Sequence, residues 1–429
     1  MLQPHQWVIL SSWISKIVTA VIQIAVIRLM IERVGVDVYA GVALLTGLAG
    51  WYALADFGIG NSLQNHISEK RAKGLSSDGF ILAGLFLAVV ALFMLSVVQF
   101  IVAPWLGPVL LKSVVTISDE ERIASYLVFG QLSLLGVVGG LVYKIWYATQ
   151  RGYLANVLPA LAAVAGYVAV QQVPVTESSY MLLWCVMAIV GPAALLPLPF
   201  ALNQGIKTLR QGGSVSRQNV RELSSRAAKF TSLAVMAAVV LQLDYIVISQ
   251  FLPAADIVVY SVTMKIFSTA FFVYYSVLQA FWPLLTEQIA KGDWSAVRTR
   301  VRGILLRGVG FMVAVTLCVL LFERQILALL APKTSLLISA PVILLVGLYF
   351  SIRIWTDTFS TVLSSMSRIG PLLRWVPVQA VISVGLQIYL TPRLGIAGMV
   401  IALIVAFLLT VSWVLPRQVS IMWSAPLTR

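Results

Sequence analysis

The stretch FILAGLFLAVVALFMLSVVQFIV, residues 80–102, runs for 23 positions without a charged side chain. A helix rises about 1.5 Å per residue, so this length is enough to cross the ~30 Å hydrocarbon core of a bilayer. The rest of the chain is similar, since 60% of its residues are hydrophobic and 11% are charged. The mean hydropathy is +0.94, and a soluble fold could not bury that much apolar surface. The sequence therefore predicts an all-α integral membrane protein.

Windows of about 20 apolar residues predict twelve transmembrane helices in two six-helix bundles. The spans are expected at residues 7–30, 38–60, 80–102, 123–147, 154–170, 179–200, 229–251, 257–282, 303–321, 336–358, 375–391 and 396–416. Residues 1–205 then form the N-terminal bundle, 206–228 a polar cytoplasmic connector and 229–429 the C-terminal bundle. The first run is too long for the apolar part of a signal peptide and contains Lys16, so we expect a retained span.

The basic residues between the spans predict the orientation. If the N-terminus is cytoplasmic, the loops on its side and the C-terminal tail carry eighteen Lys and Arg, and the opposite loops carry six. Positive charge concentrates on the cytoplasmic side of membrane proteins, so both termini are expected in the cytoplasm. The net charge of +14 then reflects topology and buried cations, and no nucleic-acid partner is expected.

Two segments indicate an internal repeat. ISEKRAKG at residues 67–74 and LTEQIAKG at residues 285–292 agree at four of eight positions, with a constant offset of 218. Each follows the second span of its predicted bundle. A six-span unit that is repeated gives parallel repeats related by an axis along the membrane normal.

Six cations lie inside stretches that are otherwise apolar enough to span a bilayer. They are Lys16, Arg28, Lys144, Lys265, Arg307 and Arg353. A Lys or Arg at the centre of a span costs about 2.5–3.5 kcal/mol on insertion scales. Such residues therefore snorkel to an interface, pair with an acid or line a polar cavity. A cavity lined by these cations would favour an anionic guest.

Helical spacing tests whether the buried polar residues share a face. Three spans carry a cation within a stripe of hydroxyl and amide side chains. The stripes are Ser12, Lys16, Thr19 and Gln23; Ser261, Lys265, Ser268, Tyr275 and Gln279; and Arg353, Thr356, Asp357, Ser360 and Ser364. Stripes of this kind predict a water-filled lumen. The predicted substrate-binding residues are Lys16, Lys265, Arg353, Gln23 and Gln279.

Several of the six cations have simpler explanations. Arg28 lies near the end of its span with Glu32 one turn on, which favours an ion pair. Lys144 and Arg307 lie near cytoplasmic ends, where a long side chain reaches the interface. Arg353 has Asp357 one turn away, so a structural ion pair and a lumen site are both open.

Three acids remain within the spans. Asp56, Asp244 and Asp357 are predicted as counter-charges to the more numerous cations or as ligands of a coupling proton or sodium ion. The aromatic run from Phe271 to Trp282 is expected either to stack a sugar or an isoprenoid, or to pack between helices or form a belt at the membrane interface.

No motif for catalysis or for a metal is found. The chain has no G-x-x-x-x-G-K-[ST] phosphate loop, no D-x-D-type acidic cluster in a long loop and no large external loop. His5 and His66 lack Cys or carboxylate partners at metal spacing, so we expect solvated surface histidines. Cys185 and Cys318 lie in apolar segments, which argues against a disulfide framework.

The sequence resembles one family of membrane carriers. LADFGIG at residues 54–60, NHISE at 65–69 and AKG at 72–74 are similar to the second-span region of polysaccharide transporters of the Wzx type. LDYIVIS at 243–249, with Trp282-Pro283 and Lys291-Gly292 further on, resembles their seventh and eighth spans. LGIAGM at 394–399 resembles the glycine turn into their last span. The anchors cover most of the chain and indicate the multidrug/oligosaccharidyl-lipid/polysaccharide export (MOP) superfamily.

The resemblance implies a MATE-like fold and a flippase, not an enzyme. Its substrate would be an undecaprenyl-pyrophosphate-linked oligosaccharide, such as an O-antigen repeat unit. Transport would run from the cytoplasmic to the periplasmic leaflet of the bacterial inner membrane, by alternating access through a cationic lumen. The implied partners are this lipid-linked oligosaccharide, membrane lipids, a polysaccharide polymerase and a chain-length regulator. No cofactor is implied, although a proton or sodium gradient would drive the cycle.

Three alternatives stay open. A multidrug exporter would share the fold but needs an acidic lumen for cationic drugs. A lipid II flippase of the MurJ type would share a basic lumen but resembles a fourteen-span design. A membrane-embedded polysaccharide polymerase or ligase would be expected to carry a sizeable periplasmic catalytic loop.

Overall fold

The computed structural model describes residues 4–174, 180–290, 292–330, 337–366 and 370–424, which are nearly all helical. The chain divides into two compact units, of which the first runs to Ala238 and the second contains most of the chain from Val239 onward. The first nine helices are α1 Pro4–Gly47, α2 Ala49–Tyr52, α3 Ile59–Ala72, α4 Asp78–Leu110, α5 Asp119–Ala148, α6 Gly152–Gln171, α7 Met181–Leu195, α8 Leu198–Arg210 and α9 Arg217–Gln242. The others are α10 Asp244–Phe251, α11 Ala254–Ala290, α12 Trp294–Leu321, α13 Glu323–Leu330, α14 Ala340–Ser365, α15 Gly370–Leu409 and α16 Val411–Ser424. The all-α prediction is confirmed.

Within the described ranges, nine helical segments are long and apolar enough to cross a membrane. They overlap eleven of the predicted spans, because Ile14–Asp56 covers most of the first two and Gly370–Ile421 covers the last two. In each case a glycine with non-helical dihedral angles separates the pair, Gly35 in α1 and Gly395 in α15. The remaining prediction, residues 229–251, falls on the end of α9 and on α10, where several side chains lie outside the described residues. The count of twelve therefore stays a prediction.

The two repeat segments end in the same backbone conformation. Gly74 follows α3 with a φ of 67°, and Gly292 follows α11 with a φ of 73°. A glycine in the left-handed region is the common terminator of a helix, since other residues pay a steric penalty there. The last glycine of each segment thus has a shared structural role, which supports the predicted repeat.

The predicted connector is mostly helical and packs on the first unit. Residues 206–228 form the end of α8 and the beginning of α9. Leu223 and Ala227 of α9 are buried in the same core as Leu63 of α3 and Phe80 of α4. The Ser62 hydroxyl donates to the Leu223 carbonyl at 3.0 Å. A polar connector exposed to water on all sides would make no such contacts. Here the apolar side of α9 that carries Leu223 and Ala227 is buried, and this burial stabilises the helix. The domain boundaries themselves stay predictions.

His66 is buried, so the expectation of a solvated histidine is wrong for this residue. Its ring stacks on Phe80 with centroids 4.3 Å apart and an interplanar angle of 10°. Burial lowers the pKa of His66, and the nearby positive charge of Arg226 lowers it further. The α3 helix that carries it lies outside the nine candidate spans. The side chain of His5 lies outside the described residues.

Candidate functional site

The Lys16 stripe lies on a face of α1 that is turned away from its packing partner. On the packing face, the Ser15 hydroxyl donates to the Asn156 carbonyl at 2.5 Å, and the Asn156 amide donates to Ser11 at 3.1 Å. At 100° per residue, Lys16 and Gln23 lie about 80–140° around the helix from these two serines. Both are exposed, whereas Ser15 is buried. Two of the predicted binding residues therefore share an open polar face.

Lys265 is half-buried on α11. The hydroxyls of Ser268 and Thr269 donate back to the Lys265 carbonyl, at 3.1 and 2.7 Å. These bonds satisfy the two hydroxyls within the helix and do not involve the Lys265 ammonium group. No described carboxylate lies within ion-pair distance of this ammonium group. The side chain of Gln279, predicted for the same stripe, lies outside the described residues.

Arg353 of α14 is held among aromatic rings of the second unit. Its guanidinium carbon lies 4.4 Å from the ring centroid of Phe271, 5.7 Å from Phe350 and 6.0 Å from Tyr349. A guanidinium over ring faces is attracted to their electron density and keeps one rotamer. A 3.7 Å ion pair with Asp357 adds to this restraint. The predicted local pair is therefore present, and a lumen role for Arg353 stays a prediction.

The three predicted acids have different surroundings. Asp56 accepts from the backbone N–H groups of Gly58 and Gly60, at 2.6 and 3.3 Å, and so caps the first turn of α3. Asp357 lies beside Arg353. Asp244 is buried, and one carboxylate oxygen accepts from the Tyr260 hydroxyl at 2.5 Å. Among the described residues, its other oxygen has no hydrogen-bond partner.

A buried polar stripe on α15 was missed by the sequence reasoning. Its members are spaced four residues apart at Gln379, Ser383, Gln387 and Thr391, and all four are buried. The Gln387 amide donates to Ser383 at 2.8 Å, while the Gln387 and Thr391 oxygens lack partners among the described residues. The helix α10, which begins at Asp244, packs against α15. The constant spacing of four is the signal that could have identified this stripe.

Two other cations are paired. Arg28 and Glu32 form the predicted ion pair, with a separation of 3.0 Å. The Lys144 ammonium donates to the Asn61 side-chain oxygen at 2.8 Å, a contact between α5 and α3 that the sequence did not suggest.

Cys185 and Cys318 are both free thiols. Within the described parts of the chain, no three His, Cys, Asp or Glu side chains come together in a group that could hold a metal ion.

Comparisons with known sequences identify close relatives. The chain is 37% identical to a candidate O-antigen transporter of Salmonella typhi over 415 residues, covering 96% of this chain and 95% of that protein. It is 31% identical to a candidate O-antigen export protein of Yersinia pseudotuberculosis, with coverage of 96% and 95%. The family described as MatE matches residues 231–392.

Solved structures share the fold. An inward-facing MATE family multidrug transporter of the MOP superfamily matches with a TM-score of 0.72 and 15% identity, covering 95% of this chain and 96% of that one. The lipid II flippase MurJ, in an inward closed conformation, also matches with a TM-score of 0.72, at 11% identity and with coverage of 96% and 87%. These matches confirm the predicted fold class, apart from the exact number of spans.

Proposed function

The chain belongs to the O-antigen transporter family of the MOP superfamily, and from this we propose that it is a flippase for lipid-linked oligosaccharides. As its relatives are transporters, the protein is a multi-pass bacterial membrane transporter and not an enzyme. The substrate we propose is an undecaprenyl-pyrophosphate-linked repeat unit of O-antigen or of a similar surface polymer. It moves from the cytoplasmic to the periplasmic leaflet of the inner membrane, and both termini of the protein are cytoplasmic. The observation that carries the proposal is the 37% identity over nearly the whole chain.

The proposed substrate has a pyrophosphate, and the chain has cations that suit it. Lys16 presents an ammonium group on an open polar face of α1. Arg353 presents a planar guanidinium that Phe271 and Asp357 hold in one orientation. Lys and Arg both bind phosphate, and partial removal of water strengthens the attraction. Cations of this kind favour the lipid-linked anion over the cationic substrates of a multidrug exporter.

The transport cycle we propose is alternating access driven by an ion gradient. Asp244 is buried, one of its carboxylate oxygens has no hydrogen-bond partner among the described residues, and the helix α10 that it begins packs against α15. A carboxylate oxygen suits a hard cation, and a buried carboxylate that forms no ion pair also binds a proton. We therefore assign the coupling proton or sodium ion to Asp244.

Deletion of the gene in its source strain tests the function. We expect loss of long-chain surface polysaccharide, visible on a lipopolysaccharide gel, with accumulation of lipid-linked repeat units. Normal polymer together with drug sensitivity would instead indicate a multidrug exporter. Lysis with accumulation of lipid II would indicate a peptidoglycan-precursor flippase. Either result would overturn the proposal.

Asp244→Asn is expected to remove the response to an ion gradient. The amide keeps the size of the side chain and can still accept from Tyr260, but it cannot take up a proton or neutralise a cation. Transport into proteoliposomes is measured with and without an imposed proton or sodium gradient. We expect the gradient-dependent part of transport to fall at least about tenfold, which corresponds to a loss of ~1.4 kcal/mol. The conservative control is Tyr260→Phe, which keeps the carboxylate and should therefore keep a response to the gradient. An unchanged gradient response in Asp244→Asn would reject the assignment.

A further inference from the structure

An apolar groove opens in the first unit, where the start of α3 meets α4 and α9. Its volume is about 510 Å³, which is within the range of about 300–1,000 Å³ typical of small-molecule sites. The lining includes Ile59 of α3, Val90 and Met94 of α4, and Ala228 and Thr231 of α9. Val90 and Met94 are 38% and 62% exposed, so the groove is open along its side. Its apolar lining suits a hydrocarbon chain.

The same face of α9 carries two arginines. Arg217, Arg221, Ser224, Ala228 and Thr231 fall within about 80° of arc at 100° per residue. The last three line the groove, and Arg221 precedes them by about one turn, or ~4.5 Å along the helix axis. Both arginines are exposed. One continuous stripe thus changes from cationic, at the predicted cytoplasmic end of α9, to apolar deeper in the helix.

The opposite side of α9 is fixed to α3. Leu223 is fully buried and its carbonyl accepts from Ser62 at 3.0 Å. One turn on, the Arg226 guanidinium donates to Glu69 at 2.7 Å, and this bond to Arg226 lowers the pKa of Glu69. These contacts hold the wall of the groove in place. A ligand therefore meets a largely preformed surface, which reduces the ordering cost of binding.

We propose that the groove and the two arginines form a docking site for the lipid carrier of the substrate, with part of a polyprenyl chain in the groove and its phosphates at Arg217 and Arg221. The proposal rests on the proposed function and adds a place for the lipid. A single groove accepts one chain, whereas a phospholipid would leave its second chain outside. Two adjacent guanidinium groups suit phosphate oxygens, which they bind in pairs. The site would receive the carrier from the cytoplasmic leaflet before transport.

Binding of undecaprenyl phosphate to the purified full-length protein in detergent tests the proposal. Ala228→Trp fills the groove, and the Arg217→Gln, Arg221→Gln double variant removes the cations. Each change is expected to weaken binding at least about tenfold. Val98→Trp is the matched control, because Val98 is a 53% exposed residue of α4 outside the groove. It should bind like the wild type, and the thermal unfolding of all variants shows whether each one is folded.

Three results would overturn the docking site. The first is that the wild type does not bind undecaprenyl phosphate, and the second is that folded Ala228→Trp binds it as well as Val98→Trp does. The third is that phosphatidylglycerol displaces the probe as effectively as undecaprenyl phosphate itself. The last result would assign the groove to bulk anionic phospholipid. Inorganic pyrophosphate is expected to compete for the two arginines but to bind at least about tenfold more weakly than undecaprenyl phosphate, because it leaves the groove empty. The gene-deletion test decides the proposed function separately, since it does not depend on where the carrier docks.

Discussion

Lys16→Ala is expected to abolish surface polymer export while the protein still inserts into the membrane, and Lys265→Ala is expected to do the same. Each ammonium group lies on a polar stripe of an otherwise apolar helix. A hydrogen bond from a charged group contributes about 1.5–3 kcal/mol, so losing one contact to the pyrophosphate lowers transport about 10- to 150-fold. Complementation of the deletion strain, read from a lipopolysaccharide gel, measures the effect. Membrane immunoblots measure insertion.

Arg28→Ala is the matched control for these two variants. Arg28 also lies in an apolar span, but it pairs with Glu32 near the end of that predicted span, and the pair is partly exposed. Ion pairs of this kind contribute about 0–1 kcal/mol, so export by Arg28→Ala should stay close to that of the wild type. Full export by both lysine variants would remove Lys16 and Lys265 from the binding site.

Gly58→Ala is expected to destabilise the first unit strongly. Gly58 has a φ of 69°, and a Cβ atom there would lie 2.5 Å from the Ala227 carbonyl oxygen and 2.7 Å from the Phe230 Cβ. The left-handed conformation costs a residue with a Cβ about 1–2 kcal/mol, and overpacking adds about 1–3 kcal/mol. The turn before α3 must then shift away from α9. Thermal unfolding of the purified variant in detergent measures the loss.

Gly310→Ala provides the comparison. Gly310 is within α12, has no atom within 4 Å of an added Cβ and no positive φ. Alanine is the better helix former, by about 1 kcal/mol, so this variant should unfold at or slightly above the wild-type temperature. A Gly58→Ala protein that unfolds at the same temperature as Gly310→Ala would show that the turn tolerates a side chain.

Hydropathy predicts where helices lie in this chain, because spanning a bilayer requires a long apolar run whatever the neighbours are. The uncharged stretch at residues 80–102 is accordingly part of α4. Hydropathy does not report how helices pack. The first turns of α9 are polar enough to be read as a connector, yet Leu223 is fully buried. His66 was expected in solvent for a similar reason, since its stacking on Phe80 depends on the approach of two helices.

In the candidate site, too, contacts within one helix can be predicted from the sequence, whereas contacts between helices cannot. Contacts between residues four apart on one helix are readable from the sequence, and the Arg28–Glu32 and Arg353–Asp357 pairs are both present. The contact of Lys144 with Asn61 joins residues on different helices, and no local spacing indicates it. The stripe on α15 was readable but overlooked, because amides and hydroxyls lower the hydropathy of a span much less than charges do.

The attachment of α9 to α3 has a consequence for how the protein is synthesised. The core that contains Leu63 and Phe80 is completed by Leu223 and Ala227, which emerge from the ribosome about 140 residues after Phe80. Part of this core therefore stays uncovered after the first six predicted spans are made, until the start of α9 is synthesised. A gene split at residue 205 would leave that surface open in one fragment. A split after Ala238 keeps the whole core on a single polypeptide.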